Sequence, residues 1–215
     1  MKITNLIFDL DGTLIDSAPS ILAGFAYALA SCGVTPCVPL QPGLIGPPLM
    51  ETLSILSGVR EDALLKAMAD SFKRFYDTEG YRQSVVYPGT HEVLAALHRL
   101  GFGLHLATNK RQVPTARILD HFGWTPYFAS VYTLDLAGRQ FGSKSDMVAA
   151  QLAEHGIDRS SAVYVGDRDE DRIAAVANQL GFIGVNWGYG VFQSNAEFPI
   201  LAAMGELPAL VRKQM

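Results

Sequence analysis

Four short stretches gather the residue types that phosphate and metal chemistry need. In Phe8-Asp9-Leu10-Asp11-Gly12-Thr13, two carboxylates stand two residues apart and so lie on the same side of an extended segment. Two adjacent anions at the end of an apolar run are costly unless a cation compensates them, and a divalent metal is the simplest answer. Gly12 lets the backbone turn sharply there, and Thr13 adds a hydroxyl and an amide. Taken alone, the pair reads equally well as a turn that caps the next helix.

Thr108, Asn109 and Lys110 end the run Gly103 to Ala107 and precede a helical pattern. Thr or Asn at such a place is an ordinary N-cap, yet the same geometry aims free amides and a helix dipole at an anion. Lys144, in Gly-Ser-Lys-Ser-Asp, begins another helix, where a cation sits poorly against the dipole and is better accounted for by an anionic partner. The run Ala162 to Val165 leads into Gly166-Asp167-Arg168-Asp169-Glu170-Asp171, with four acids in five positions. A calcium-binding EF-hand is excluded, because Arg172 stands where the loop needs Gly and Asn178 where it needs Glu. If the helix begins here, Asp167 and Asp171 share a face, while Asp169 and Glu170 suit a first helical turn. Gly188-Tyr189-Gly190 lacks the third glycine of a dinucleotide fingerprint, and Gly142-Ser143-Lys144-Ser145 lacks the spaced first glycine of a P-loop.

The elements that must position these residues follow from periodicity. Ile3 to Leu10, Gly103 to Ala107, Ala162 to Val165 and Phe182 to Val185 read as strands buried on both faces. Thr90 to Leu100, Val113 to Phe122, Ser143 to His155 and Glu170 to Leu180 repeat apolar residues at helical spacing. Their alternation predicts an α/β, doubly wound parallel sheet, with the reactive residues at strand ends or helix starts. Residues 16–87 break it with three helical patterns, Ser20 to Ser31, Leu49 to Ser57 and Glu61 to Glu79, and no good strand. The expected organisation is a discontinuous α/β core, 1–15 and 88–215, carrying a small all-helical insert at 16–87.

Composition narrows the function. The chain has 215 residues, a net charge of −4 and 49% apolar residues, enough for a buried core and wrong for a coiled coil or a disordered tail. Mild acidity argues against a nucleic-acid polymer as partner. Two cysteines, Cys32 and Cys37, are too few for a disulfide framework. The N-terminus does not read as a signal or transit peptide, and no run approaches the roughly 18 apolar residues of a membrane span. A cytoplasmic protein without membrane contact is expected.

Together, DLDGTLIDS, the Thr of LATNK, the Lys of FGSKSD and VGDRDEDRIAA resemble, in order, the four motifs of the haloacid dehalogenase superfamily of Asp-nucleophile phosphohydrolases. IGPPLMETL, YPGTHEVLAALHRLG, RILDHFGW and GVNWGYG look like its phosphoglycolate phosphatase branch, although the branch's common Pro after TNK is Arg111 here. The resemblance implies a magnesium-dependent phosphomonoesterase acting on a small phosphorylated metabolite. Asp9 would be the nucleophile and Asp11 the general acid and base. Mg2+ would be held by Asp9, Asp167 and the carbonyl of Asp11, with Asp171 as a ligand or a partner of one. Gly12, Thr108, Asn109 and Lys144 would bind the phosphoryl group, Lys144 also offsetting the charge of Asp9. The insert would be a cap closing over the site, with hinges at Asp16 and Ser17 and at Tyr87 to Gly89. Within it the loop Leu44 to Pro48, centred on Ile45, Gly46 and Pro47, would set specificity, and one of Arg60, Lys66, Lys73, Arg74 and Arg82 could bind a substrate carboxylate. A 5'-nucleotidase or a phosphomutase would share this core, and a non-catalytic phospho-accepting module is the reading from another class. The first-strand position of Asp9 argues against that module. The resemblance leaves monomer or homodimer open.

Overall fold

The computed structural model describes residues 2–45, 48–193 and 196–212. The chain forms two compact units, Met1–Asp16 with Val86–Met215, and Ser17–Val85.

The first unit opens with β1 (Asn5–Phe8), whose residues Leu6, Ile7 and Phe8 have no exposure at all. Strand β2 (Ile15–Asp16) follows, before the chain leaves for the second unit. That unit contains α1 (Ala18–Ser31), α2 (Leu49–Ser57) and α3 (Asp62–Thr78). Its core includes Phe25, Leu53, Leu56, Met68, Phe72 and Tyr76, with Phe25 and Phe72 ring centroids 5.0 Å apart. Strand β3 (Val85–Val86) ends the excursion, so the stretch expected to be purely helical also carries a two-residue strand. The Tyr87 N–H then donates to the Leu14 carbonyl at 3.2 Å, closing the first unit where the chain re-enters it.

The remainder alternates: α4 (Thr90–Arg99), β4 (Gly103–Thr108), α5 (Gln112–His121), β5 (Phe128–Thr133), α6 (Lys144–Glu154), β6 (Ala162–Gly166), α7 (Asp169–Ala177), β7 (Gly181–Val185), β8 (Ile200–Leu201) and α8 (Leu207–Arg212). Among the described residues these build a six-stranded sheet in the order β5-β4-β1-β6-β7-β8, and every pairing is parallel. Helices α6 and α7 cover one face, where Met147, Val148, Leu152, Ala174 and Ala175 meet Ile7, Ala107, Tyr132, Tyr164 and Phe182. Residues of opposite parity, such as Leu6, Phe8, Leu104 and Leu106, point to the other face, and α4 packs on β4 and α8. From β1 the chain passes to β4 and β5, then returns to β6 on the other side of β1. The order reverses at β1, so the carboxyl end of that strand is the switch point where doubly wound sheets bind ligands.

The apolar-run criterion misses β5, because Ser130 and Thr133 interrupt it. Ser130 is needed there: its hydroxyl bonds His105 Nδ1 at 2.8 Å and accepts from Gln151 Nε2 at 2.8 Å. His105 is 4% exposed in β4, and burial, with His155 nearby adding a smaller effect, lowers its pKa from 6.5 to about 4. The folded protein therefore keeps His105 neutral where the unfolded chain is already protonated. This contribution to stability is complete above pH 6.5 and is lost as pH falls toward 4, by up to about 3 kcal/mol. Urea unfolding at pH 7 and pH 4.5 should show this loss, and His105→Gln should flatten it. An unchanged pH slope in the variant would assign the loss to other groups.

Candidate functional site

Strand β1 carries Asp9 to the switch point, where its N–H donates to the Val165 carbonyl of β6 at 3.0 Å. The carboxylate is buried against Lys144, whose Nζ lies 2.9 Å from Oδ1. Lys144 opens α6 behind Ser143, whose hydroxyl caps the helix by accepting from the Asp146 N–H at 3.1 Å. The ammonium also donates to Asp171 Oδ1. Burial works against its charge, but Asp9, Tyr164 and Asp171 outweigh that and hold Lys144 protonated. Two carboxylates thus account for a cation at an unfavourable helix terminus.

Asp167 follows β6 and precedes α7, so it is not on a helical face shared with Asp171 as the spacing suggested. Asp171 occupies the third helical position and turns back, its Oδ2 accepting from the Arg168 N–H at 3.0 Å. Gly166 permits this approach, since a Cβ there would lie 2.5 Å from Asp171 Cγ. Asp167 Oδ2 accepts from the Tyr189 and Gly190 N–H groups at 2.8 and 3.2 Å, and Oδ1 from the Thr13 hydroxyl at 3.3 Å. Asp9, Asp167 and Asp171 are thereby brought together, each offering an oxygen within 4.8 Å of the others.

The donor set fits a hard divalent cation. Three buried carboxylates face one ammonium, Lys144, leaving about two negative charges with little water. The imbalance is visible in Asp9, which burial first, and then Asp171, Asp167 and Asp11, raise to about 7 against the pull of Lys144. Burial raises Asp167 as well, opposed by its bonds from Tyr189 and Gly190.

The carboxylate of Asp11 lies apart from the triad. Lys110 Nζ holds both its oxygens, at 2.9 and 3.1 Å. Lys110 has no assigned role in the sequence reading, because its partner is 99 residues away and is reached only through the β1–β4 register, Phe8 beside Leu106. Neither Thr108 nor Asn109 caps α5, whose N-cap is Arg111. Thr108 is 1% exposed and accepts from the Lys110 N–H at 3.3 Å, while the Asn109 amide donates to Glu170 at 2.8 Å. Glu170 and Asp169 lie in the first turn of α7, Asp169 pairing with Arg172 at 2.6 Å.

Gly12 departs from expectation. Its N–H is directed to the Ile15 carbonyl at 2.8 Å, closing the turn rather than facing an anion. Its φ of +84° is open to glycine, and a Cβ would lie 2.6 Å from Asp167 Cγ, so Gly12 makes room for that carboxylate. In the helical unit, Ile45 ends a short 3-10 turn and is half-buried, whereas Gly46 and Pro47 lie outside the described residues. Arg60, Lys66, Lys73, Arg74 and Arg82 are all exposed.

The sequence model for haloacid dehalogenase-like hydrolases matches residues 6–185. The tyrosine-protein kinase PtkA of Mycobacterium tuberculosis is 36% identical over 188 residues, 86% of this chain and 62% of that protein. The chain thus spans less than two thirds of this relative's length. A solved structure of PtkA superposes with a TM-score of 0.77 at 32% identity, covering 98% of both chains. A 5'-nucleotidase of Pseudomonas aeruginosa is 31% identical, covering 88% of this chain and 86% of its own. A phosphoglycolate phosphatase of Vibrio parahaemolyticus is 30% identical over 96% of this chain and 95% of its own.

Because Asp9 must lose its proton to meet a cation, binding and pH are linked. The apparent affinity for Mg2+ should rise with pH and level off above about 7, the position to which Asp9 is raised. Calorimetric titrations between pH 5.5 and 8.5 read this directly, and a pH-independent affinity would contradict it. Asp167→Ala should weaken the affinity roughly 10–100-fold, while Asp169→Ala leaves it within about twofold. Equal effects of the two would remove Asp167 from the site.

Proposed function

The chain belongs to the haloacid dehalogenase-like hydrolase family, and we propose that it is a magnesium-dependent phosphomonoesterase acting through an aspartyl phosphate on a small phosphorylated metabolite. The observation that carries this reading is the buried Asp9 carboxylate, 2.9 Å from Lys144 and grouped with Asp167 and Asp171 at the end of the central strand. A carboxylate so placed is a nucleophile with its charge balanced from the side.

In this mechanism an Asp9 oxygen attacks phosphorus, and the ester oxygen departs with the bonding electrons and takes a proton from Asp11. Asp11, now ionised, accepts a proton from water as the water oxygen attacks the phosphorus of the intermediate, and Asp9 leaves as a carboxylate. Both Asp11 oxygens accept from Lys110, so Asp11 takes up a proton from solvent and gives up one of these bonds before it acts as the acid. Lys144 and Thr108, with the Asn109 N–H, hold the phosphoryl oxygens. Asp9, Asp167 and the Asp11 carbonyl would hold magnesium, with Asp171 in reserve or behind them; the ion supplies charge neutralisation for the phosphoryl group. This division suits phosphoryl transfer, in which positioning and electrostatics supply most of the rate.

The family resemblance gives the helical insert, and Ile45 within it, the choice of substrate. Phosphoglycolate is the substrate we favour, a choice supported by the 30% identity to a phosphoglycolate phosphatase over 96% of this chain.

Asp9→Asn should abolish hydrolysis of p-nitrophenyl phosphate while far-UV circular dichroism stays native; retained turnover would remove Asp9 as nucleophile. Asp11→Asn should slow hydrolysis of an alkyl phosphate by roughly 10²–10⁴-fold and of p-nitrophenyl phosphate far less, because nitrophenolate leaves without a proton. Equal losses would deny Asp11 the acid role. A panel of phosphoglycolate, nucleoside monophosphates and sugar phosphates compared by kcat/KM tests the substrate class.

A further inference from the structure

The Trp187-Gly188-Tyr189-Gly190 turn matches no nucleotide-binding fingerprint, yet it closes on Asp167 from the end of β7. Its start is pinned by the Asn186 N–H, which donates to the Leu201 carbonyl of β8 at 3.2 Å. Trp187 Nε1 donates to the Thr13 carbonyl at 3.1 Å, and the Tyr189 hydroxyl to Asp16 Oδ1 at 2.8 Å. The Arg168 guanidinium lies over the Tyr189 ring, 5.6 Å from its centroid. Held at these points, the turn directs two successive N–H groups at a single atom, Asp167 Oδ2.

The approach leaves no space for side chains. A Cβ on Gly188 would lie 2.6 Å from Asp167 Oδ2 and would also strike the Gly12 carbonyl. A Cβ on Gly190 would lie 3.2 Å from Arg168 Cα and collide with the Asp167 carbonyl. Gly12 leaves room on its own side of the same carboxylate. Asp167 is fully buried, its Oδ2 is taken by two backbone N–H groups, and its Oδ1, with one longer bond from the Thr13 hydroxyl, has capacity left for the site.

We propose that residues 187–190 are a positioning clamp that presents Asp167 to a divalent cation through one oxygen, so that the backbone of this turn sets the cation affinity. The inference rests on the reading of Asp167 as a metal ligand. Groups that orient ligands from behind typically change metal affinity by about 10–100-fold.

The test is Mn2+ binding to this chain without substrate, followed by the paramagnetic resonance of the free ion. Gly188→Ala should raise the dissociation constant by at least about tenfold. Trp187→Phe keeps a ring but loses the bond to Thr13, and it decides the matter if Gly188→Ala fails to fold. It should also bind at least about threefold more weakly, while saturating Mn2+ restores kcat close to the parent value, which a merely structural lesion would not allow. Asp167→Ala separates the two ideas. If Asp167→Ala loses binding and the clamp variants bind like the parent, the clamp is refuted and the ligand assignment stands. If Asp167→Ala binds like the parent, the ligand assignment fails and the clamp falls with it.

Discussion

The structure turns on an imbalance of buried charge. Three carboxylates, Asp9, Asp167 and Asp171, share a space from which water is largely excluded, and Lys144 is the ammonium that meets two of them. Such a cluster is expensive in isolation, because each uncompensated ion resists leaving water. It becomes favourable when a doubly charged cation completes it. The raised pKa of Asp9 expresses the same imbalance.

The rest of the first unit assembles this corner. Parallel neighbours on both sides of β1 place Asp9 next to Asp167, and the reversal of strand order opens a crevice in front of them. Lys144 and Asp171 arrive from the starts of α6 and α7, which lie on the same face of the sheet. Lys110 and Asn109, at the end of β4, connect to Asp11 and Glu170. Each of these residues stands within three residues of a strand end or in the first turn of a helix.

Much of this was legible in the sequence because the relevant signals are local. The strand Leu6 to Phe8 is a buried run, the DxD spacing is short, and α2 follows its apolar pattern to both ends. Lys144 stands out in the sequence because its position conflicts with the helix dipole, and that conflict marks a partner. The remaining contacts depend on distant register. The pairing of Lys110 with Asp11 spans 99 residues, and the bonds from Tyr189 and Gly190 to Asp167 span 22 and 23. Strand β5 was obscured by Ser130 and Thr133, polar residues that a run of apolar ones should not contain. Gly12 is expected to bind the phosphoryl group, whereas the turn it makes uses its amide internally. Local spacing identifies which residues carry the chemistry; only the fold decides which of their atoms face it.

The central claim is that Asp9, Asp167 and Asp171 form a cation site whose charge deficit one divalent ion fills. Anomalous diffraction from crystals equilibrated with Mn2+ at neutral pH tests it most directly. A single strong peak within about 2.3 Å of carboxylate oxygens of Asp9 and Asp167 is the predicted result, the contact distance of a hard cation and oxygen. A site without an anomalous peak at saturating Mn2+, or a peak bound only by surface acids such as Asp169, would contradict the account.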